Sequence, residues 1–204
     1  MEEKIVYFEE FGAANTDTTL ALAMERAKAR GINKIVLAST RGDTAKTFAE
    51  KLKGTGIKMV VVPHQYGFGP DGRQRFPKEL VAELEKQGHT VYFGTMLFHT
   101  DGFFGTNAPR LMANLLRTFC QGMKVCVEIL LMSANGGLVE NEEQVVVVSG
   151  TGRGADTAIV AQAAPSTSFA NFHITEIICK PLQTRQGPPP GTSSAPGAPP
   201  PPRP

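Results

Sequence analysis

Two loops of this sequence share a composition suited to binding an anion. The first, S-T-R-G-D-T (39–44), follows the apolar run KIVLA, and the second, S-G-T-G-R-G (149–154), follows QVVVV. Glycines let an oxyanion approach main-chain N–H groups, hydroxyls donate further hydrogen bonds, and a guanidinium makes a forked contact with phosphate oxygens. The pattern predicts a phosphate-binding site formed by Ser39, Thr40, Arg41, Gly42, Asp43, Thr44, Ser149, Gly150, Thr151, Gly152, Arg153 and Gly154.

A purely structural interpretation of the two loops stays open beside this one. Neither loop is the G-x-G-x-x-G dinucleotide fingerprint, and neither is a Walker loop, because no Lys precedes a Ser or Thr there. The glycines would then form tight turns, and Asp43 and Asp156 would cap the helices that follow.

Other polar and aromatic side chains follow the apolar runs. His64 and Glu10 are candidates for proton transfer, although a loop histidine and a solvated acidic turn are the structural alternatives. Tyr66, Phe68 and Phe98 are candidates for packing against the flat ring of a ligand.

The remaining reactive residue types have no recognisable catalytic or metal-binding spacing. His99, Thr100 and Asp101 form a polar cluster, but no third ligand is specified, so no metal site is predicted. The motif G-x-S-x-G is absent around Ser149, and Cys120 and Cys126 lie in apolar surroundings typical of buried structural thiols.

Alternating strand and helix patterns must position these residues. Apolar runs predict strands over 4–8, 34–39, 57–62, 89–93 and 144–149 and a final edge strand over 172–182. Helices are predicted over 18–30, capped by Asn15, Thr16 or Asp17, and over 43–53, 77–87 and 155–164, with interrupted helical material over 107–133. This alternation indicates an α/β domain with a mainly parallel sheet covered by helices on both faces.

The segment S-T-R-G-D-T-A (39–45) resembles the effector-phosphate loop of the pyruvate kinase C-terminal domain. Four further segments resemble the stand-alone prokaryotic proteins built on that domain: FEEFGAANTDTTL (8–20), VVPHQYGFGPDG (61–72), GTMLFHTDG (94–102) and VVSGTGRGADTA (147–158). The resemblance covers about residues 4–182. It implies a three-layer α/β/α fold with a mixed five-stranded core sheet whose last strand is antiparallel.

The resemblance also implies a function. In pyruvate kinase this domain is regulatory and holds a sugar bisphosphate, and nothing in the chain resembles the catalytic barrel, so pyruvate kinase activity is not expected. The stand-alone relatives imply a phosphate-bearing nucleotide such as flavin mononucleotide (FMN) as cofactor. We therefore expect binding of a phosphorylated small molecule. The alternatives are an enzyme acting on a phosphorylated metabolite and an interaction protein.

Composition limits the remaining classes. The 204 residues carry a formal net charge of +2, which gives no electrostatic reason to expect nucleic-acid or membrane-surface binding, and no apolar stretch has membrane-spanning length. We expect a cytoplasmic protein. The apolar segments 111–116 and 125–132 are either core or an oligomer face, and we expect them to supply core together with a contact between copies in a homo-oligomer. Residues 1–185 are predicted to form one domain, and the Pro/Gly-rich residues 186–204 a disordered tail.

Overall fold

A computed structural model describes residues 2–183 of the chain. In this range seven strands form, namely β1 (Val6–Phe8), β2 (Lys34–Ala38), β3 (Lys58–Val62), β4 (Thr90–Val91), β5 (Gln144–Ser149), β6 (Thr157–Gln162) and β7 (His173–Pro181). The α-helices of the same range are α1 (Thr16–Ala29), α2 (Asp43–Leu52), α3 (Lys78–Lys86), α4 (Asp101–Phe104), α5 (Ala108–Arg117) and α6 (Gln121–Asn135). The predicted tail and its boundary at residue 185 lie outside the described residues.

The strands form one mixed sheet in the order β1-β7-β6-β5-β2-β3-β4. All neighbouring pairs are parallel except those of β6, which is antiparallel to both β5 and β7. Strands β2 to β6 form the five-stranded core sheet that the resemblance implied, in the order β6-β5-β2-β3-β4 with only the last strand, β6, antiparallel. In the described residues β7 and β1 extend this core to seven strands.

The central strands are buried on both faces, as their continuous apolar runs predict. Successive residues of β2, β3 and β5 point alternately into two separate apolar clusters. Helices α1, α2 and α3 cover one cluster, whereas α6 covers the other together with α5. The predicted three-layer α/β/α architecture is confirmed.

The prediction of a helix over residues 155–164 is wrong. Residues Thr157–Gln162 form β6, and each of its six residues is paired with a residue of β5. The segment T-A-I-V-A-Q contains alanines that suit a helix, but all of its residues except Gln162 are buried. A strand buried on both faces and a buried helix have the same apolar content, so composition alone does not separate them.

The final strand is not at an edge of the sheet. β7 lies between β1 and β6, and the two edge strands are the short β1 and β4. The prediction for 172–182 was therefore right about the strand and wrong about its place. The polar residues on β7 suggested a solvated edge, but Glu176 instead forms ion pairs with Arg26 and Arg30 of α1.

The other helix predictions agree with the structure to within a few residues. Helix α1 begins at Thr16 and ends in a left-handed turn at Gly31, where Ile32 N–H bonds the carbonyl of Ala27. The predicted interruption near Gln121 separates α5 from α6. Between residues 2 and 183, no α-helix is both long enough and apolar enough to cross a bilayer.

Candidate functional site

The two glycine-containing loops begin at the same edge of the sheet. β2 and β5 are parallel neighbours, with Leu37 in register with Val148, so residues 39–42 and 150–156 leave adjacent strands side by side. β3 lies on the other side of β2 and ends at the same edge, where it is followed by His64. The carboxyl edge of β5, β2 and β3 is therefore the place where the sequence-predicted site residues come together.

The first loop leads into the N-terminus of α2. Gly42 precedes the helix in a left-handed conformation with φ of 91°, and the hydroxyl of Ser39 accepts a hydrogen bond from Ala45 N–H at 3.3 Å. The main-chain N–H groups of residues 42–44 have no acceptor within residues 2–183. Arg41 and Asp43 are exposed beside them. The loop thus presents unpaired donors at a helix N-terminus, where the helix dipole favours an anion.

The second loop is organised by a buried carboxylate. Oδ2 of Asp156 accepts hydrogen bonds from Gly12 N–H at 2.9 Å and Thr151 N–H at 3.0 Å, and Oδ1 accepts one from the Thr157 hydroxyl at 2.8 Å. Asp156 is fully buried. The expectation that Asp156 caps the helix that follows it is corrected, because the loop is the turn between β5 and β6 and a strand follows Asp156.

The start of α1 packs against this second loop. Thr16 Oγ1 accepts a hydrogen bond from Ala155 N–H at 3.0 Å, and Thr19 Oγ1 donates one to the carbonyl of Ala155 at 3.3 Å. The expected side-chain cap of α1 does not form, because Asn15 instead donates to the carbonyl of Glu10. These contacts hold the turn in place and leave Arg153 exposed at its tip.

One hydroxyl in the second loop has no partner. Thr151 is 3% exposed, and its Oγ1 makes no hydrogen bond within residues 2–183. Unpaired hydroxyls of this kind are uncommon in buried surroundings. The neighbouring Ser149 is different, since its hydroxyl donates to the carbonyl of Gly122 at 2.7 Å and so serves the packing of α6.

The two candidates for proton transfer lie on different sides of the site. Glu10 follows β1, which β7, β6 and β5 separate from β2, and its side chain is exposed. His64 follows β3 and is part of the first loop's surroundings, because its Nε2 lies 3.3 Å from the hydroxyl of Thr40. His64 is thus in contact with a predicted phosphate-binding residue of the first loop.

A cluster of ionisable side chains extends from His64 into the protein, and sequence reasoning did not find most of it. The His64 ring packs against Phe68 with centroids 4.6 Å apart, and Phe68 packs against His99 at 5.0 Å. Nε2 of His99 lies 3.1 Å from Nζ of Lys124, which forms an ion pair with Glu128. A Lys and a Glu four residues apart in an otherwise apolar helix were the signal that could have revealed this pair.

Burial keeps both imidazoles uncharged at neutral pH. Desolvation lowers the pKa of His64 to about 4. Desolvation and the nearby Lys124 ammonium lower the pKa of His99, and burial also lowers the pKa of Lys124, against the opposing effect of Glu128. Clusters of such shifted groups beside a cleft are typical of functional sites.

The aromatic candidates have three different environments. Phe68 is half-buried between the two imidazoles. Tyr66 is 60% exposed and packs against Phe93, whereas Phe98 is only 5% exposed and lies beneath the Lys124 ammonium, 5.5 Å from its ring centroid. Phe98 therefore belongs to the interior, and Phe68 is the aromatic ring placed within the cluster.

Two further sequence-based expectations can be compared with the structure. Cys120, Cys126 and Cys179 are free and buried, and burial raises the pKa of each thiol, that of Cys179 to about 12, which fits inert structural cysteines. Within residues 2–183, no group of three His, Cys, Asp or Glu side chains is arranged to hold a metal ion.

The fold and the loops have a counterpart among known protein families. Residues 17–161 match the family described as pyruvate kinase, alpha/beta domain, which covers more than half of the chain. The chain therefore belongs to the pyruvate kinase alpha/beta domain family. The resemblance inferred from its loop motifs is confirmed at this level.

Solved structures of pyruvate kinases are also similar to this chain. One is a pyruvate kinase from Cryptosporidium parvum, with 14% sequence identity and a TM-score of 0.39. Another is the Cryptosporidium parvum pyruvate kinase in complex with ADP, with 14% identity and a TM-score of 0.40. Each match covers 73% of this chain but only 23% or 24% of the pyruvate kinase, so the chain corresponds to about a quarter of those enzymes.

Close packing of the second loop predicts different effects for two glycine substitutions. Gly154 and Gly152 both have positive φ, but a Cβ on Gly154 would overlap Thr16 Oγ1 and lie 2.7 Å from Ala13 Cα, whereas a Cβ on Gly152 meets nothing within 4 Å. Gly154→Ala should therefore lower the free energy of unfolding by about 1–3 kcal/mol more than Gly152→Ala. Urea denaturation measures both, and equal losses would contradict the packing described.

The lowered pKa of His64 predicts a loss of stability in mild acid. Between pH 6.5 and about 4 the unfolded chain binds a proton at His64 that the folded chain does not, so the free energy of unfolding falls as the pH is lowered through this range. We expect this group to contribute about 1–2 kcal/mol of the difference between pH 7 and pH 5.

The variant His64→Gln keeps a side-chain nitrogen near Thr40 but does not titrate. It should lose less stability than the wild type between pH 7 and pH 5 in urea denaturation. His173→Gln, at an exposed position, is the control and should keep the wild-type dependence. An unchanged pH dependence in His64→Gln would show that His64 is not kept neutral by the fold.

Proposed function

We propose that this protein binds a phosphorylated small molecule, a mononucleotide such as FMN or a sugar phosphate, at the carboxyl edge of its sheet. What carries the proposal is the run of unpaired N–H groups at residues 42–44, which face no acceptor within residues 2–183. Gly-rich loops that expose such donors at a helix N-terminus suit phosphate oxygens. Arg41 and Arg153, one exposed in each loop, add side-chain contacts to the phosphate.

The unpaired hydroxyl of Thr151 supports a ligand at the second loop as well. A small shift of the turn would let this hydroxyl donate to a ligand oxygen and would remove a buried unsatisfied group, which costs about 1–3 kcal/mol. Phe68 is the ring best placed to contact a flat group on the ligand, because it is half-buried and lies between His64 and His99. In this proposal the site is regulatory, and neither pyruvate kinase chemistry nor a metal ion takes part.

A second candidate function is catalysis on a phosphorylated metabolite. Its support is the contact between His64 and Thr40, which brings a neutral imidazole to the predicted phosphate loop. A neutral imidazole accepts a proton, so His64 would act as the general base. Glu10, the other candidate for this role, follows the edge strand β1 and is exposed.

Removal of the Arg153 guanidinium should weaken ligand binding without affecting the fold. Thermal shift with FMN, other mononucleotides, sugar phosphates and inorganic phosphate first identifies a ligand, since a ligand at a hundredfold excess over Kd adds about 2.7 kcal/mol of stability. For that ligand, Arg153→Ala should cost about 1.5–3 kcal/mol of binding free energy by calorimetry, as expected for a charged hydrogen bond.

Lys28→Ala provides the control, because Lys28 is an exposed cation in the last turn of α1. It should bind the ligand with wild-type affinity. Unchanged affinity in Arg153→Ala would remove this residue from the site, and a flat thermal response to all the phosphorylated compounds would contradict the proposed function itself.

We also propose that the chain forms homo-oligomers through α4 and α5. The proposal is supported by exposed apolar side chains on these helices: Phe103 is 85% exposed, Leu111 65% and Leu115 67%. Leu111 and Leu115 are one helical turn apart and so share a face. Contiguous exposed apolar surface of this kind is typical of protein interfaces. The second predicted segment, 125–132, is buried in α6 and belongs to the core.

A charge on this face should dissociate the oligomer. Leu115→Glu would place an uncompensated carboxylate in the apolar contact, and size-exclusion chromatography with light scattering should then give the monomer mass. Leu182→Glu changes another exposed leucine (54% against 67%), directly after β7, and should keep the wild-type mass. A wild-type protein that is already monomeric at micromolar concentration would refute the proposed interface.

A further inference from the structure

The buried pair of Lys124 and Glu128 needs an explanation beyond stability. The two residues are one turn apart in α6 and each is 2% exposed. Removing two charges from water has a desolvation cost in free energy that burying an apolar pair of similar size does not have. A buried ion pair is therefore weak evidence for a stabilising role. The contacts of this pair instead concern His99 and the segment that carries it.

The hydrogen bonds around Lys124 determine the tautomer of His99. A lysine ammonium has only donors, so the 3.1 Å contact between Nζ and Nε2 of His99 requires that Nε2 accepts. The neutral imidazole must then carry its proton on Nδ1, which makes no hydrogen bond within residues 2–183. Glu128 holds the same segment through its other oxygen, because Oε1 accepts a hydrogen bond from Phe98 N–H at 2.9 Å. His99 is thus held as a hydrogen-bond donor.

The charge of the cluster favours a neutral acceptor. The charges of Lys124 and Glu128 cancel, and His64 and His99 are uncharged at neutral pH. The charged groups outside the pair that act on these imidazoles are Arg75, Arg117 and Asp101. Lys124 already has Glu128 as its counter-ion, so a second anion beside the pair would lie next to a carboxylate, whereas a carbonyl oxygen would accept from His99 without that repulsion.

The distance from the phosphate loop to His99 is short enough for a single mononucleotide to span. Thr40 contacts His64, and the His64, Phe68 and His99 rings follow one another with centroid separations of 4.6 Å and 5.0 Å. The two imidazoles are thus separated by at most the sum of these distances. A phosphate at the loop and a flat ring beside Phe68, connected by a pentose, span a gap of this size.

We propose that His99 donates a hydrogen bond from Nδ1 to a ring carbonyl of a mononucleotide whose phosphate lies on residues 39–44, and that Lys124 and Glu128 are positioning residues that keep His99 in this donor form. The inference rests on the proposed function and specifies the other end of the ligand. It separates the site into a part that recognises phosphate and a part that recognises a neutral, flat, carbonyl-bearing ring.

Matched nucleotides that differ in one group test the proposal. Inosine and adenosine 5′-monophosphates differ in a carbonyl against an amino group at C6, and uridine and cytidine 5′-monophosphates differ in this way at C4, while both pyrimidines keep the C2 carbonyl. A donor at His99 should favour the member with the additional carbonyl of at least one pair by about tenfold in Kd. Ribose 5-phosphate, which has no base, measures the phosphate end separately.

Three variants test whether the nucleotide preference comes from His99 and from the residues that position it, Lys124 and Glu128. Asn places a side-chain N–H near the position of Nδ1, so His99→Asn should keep the preference, whereas His99→Leu should lose it. The double variant K124M/E128Q removes both charges, fills the same space and retains an acceptor for Phe98 N–H, so the chain is expected to fold. It should reduce the preference to less than threefold, and all three variants should bind ribose 5-phosphate like the wild type.

Nitrogen-15 NMR of the imidazoles gives a readout that does not depend on a ligand. His99 should be protonated on Nδ1 in the wild type and should shift towards the Nε2-protonated form in K124M/E128Q. A wild-type His99 protonated on Nε2 would overturn the inference, and so would equal affinities within both nucleotide pairs while ribose 5-phosphate binds. Failure of ribose 5-phosphate and of all four nucleotides to bind would also overturn the inference, whereas the proposed function is refuted only when FMN and the other sugar phosphates fail to bind as well.

Discussion

The arrangement of the carboxyl edge depends on the buried carboxylate of Asp156. It accepts hydrogen bonds from Gly12 N–H and Thr151 N–H, and the first of these joins residues 144 positions apart in the chain. A buried charge without such donors would cost several kcal/mol, so the carboxylate and the two main-chain segments require one another. The start of the chain and the β5–β6 turn are thereby held as one unit.

This unit determines the topology of half of the sheet. The turn from Gly150 to Asp156 reverses the chain within a few residues, so β6 returns antiparallel beside β5 instead of leading into a crossover helix. β7 then pairs with β6, and β1 is left as the edge strand next to β7. Because Gly12 follows β1, the carboxylate also fixes the position of α1, whose Thr16 accepts from the turn.

The layers of the fold and the sheet edge at which the loops lie could be predicted from the sequence, because long apolar strands and helix boundaries have strong local signals. The sequence was not sufficient to predict β6, because the same tripeptide, Asp-Thr-Ala, occurs in two different structures. At Asp43 it begins helix α2, whereas at Asp156 it follows a reversing turn and leads into a strand. What distinguishes the two copies is the distant donor Gly12 N–H, which no local pattern reveals. The role of Lys124 and Glu128 was missed for a related reason, because it depends on a contact with His99, which lies in another segment of the chain.

Helix α6 connects the two halves of the candidate site. Gly122, in its first turn, packs so closely on the start of β6 that a side chain there would overlap Thr157, and Lys124 and Glu128 follow on the same helix beneath His99. A shift of α6 along its axis would therefore be felt both at the turn that carries Arg153 and at the imidazole. The proposed phosphate and ring contacts would in this way be mechanically linked, because one helix supports the residues on which each depends.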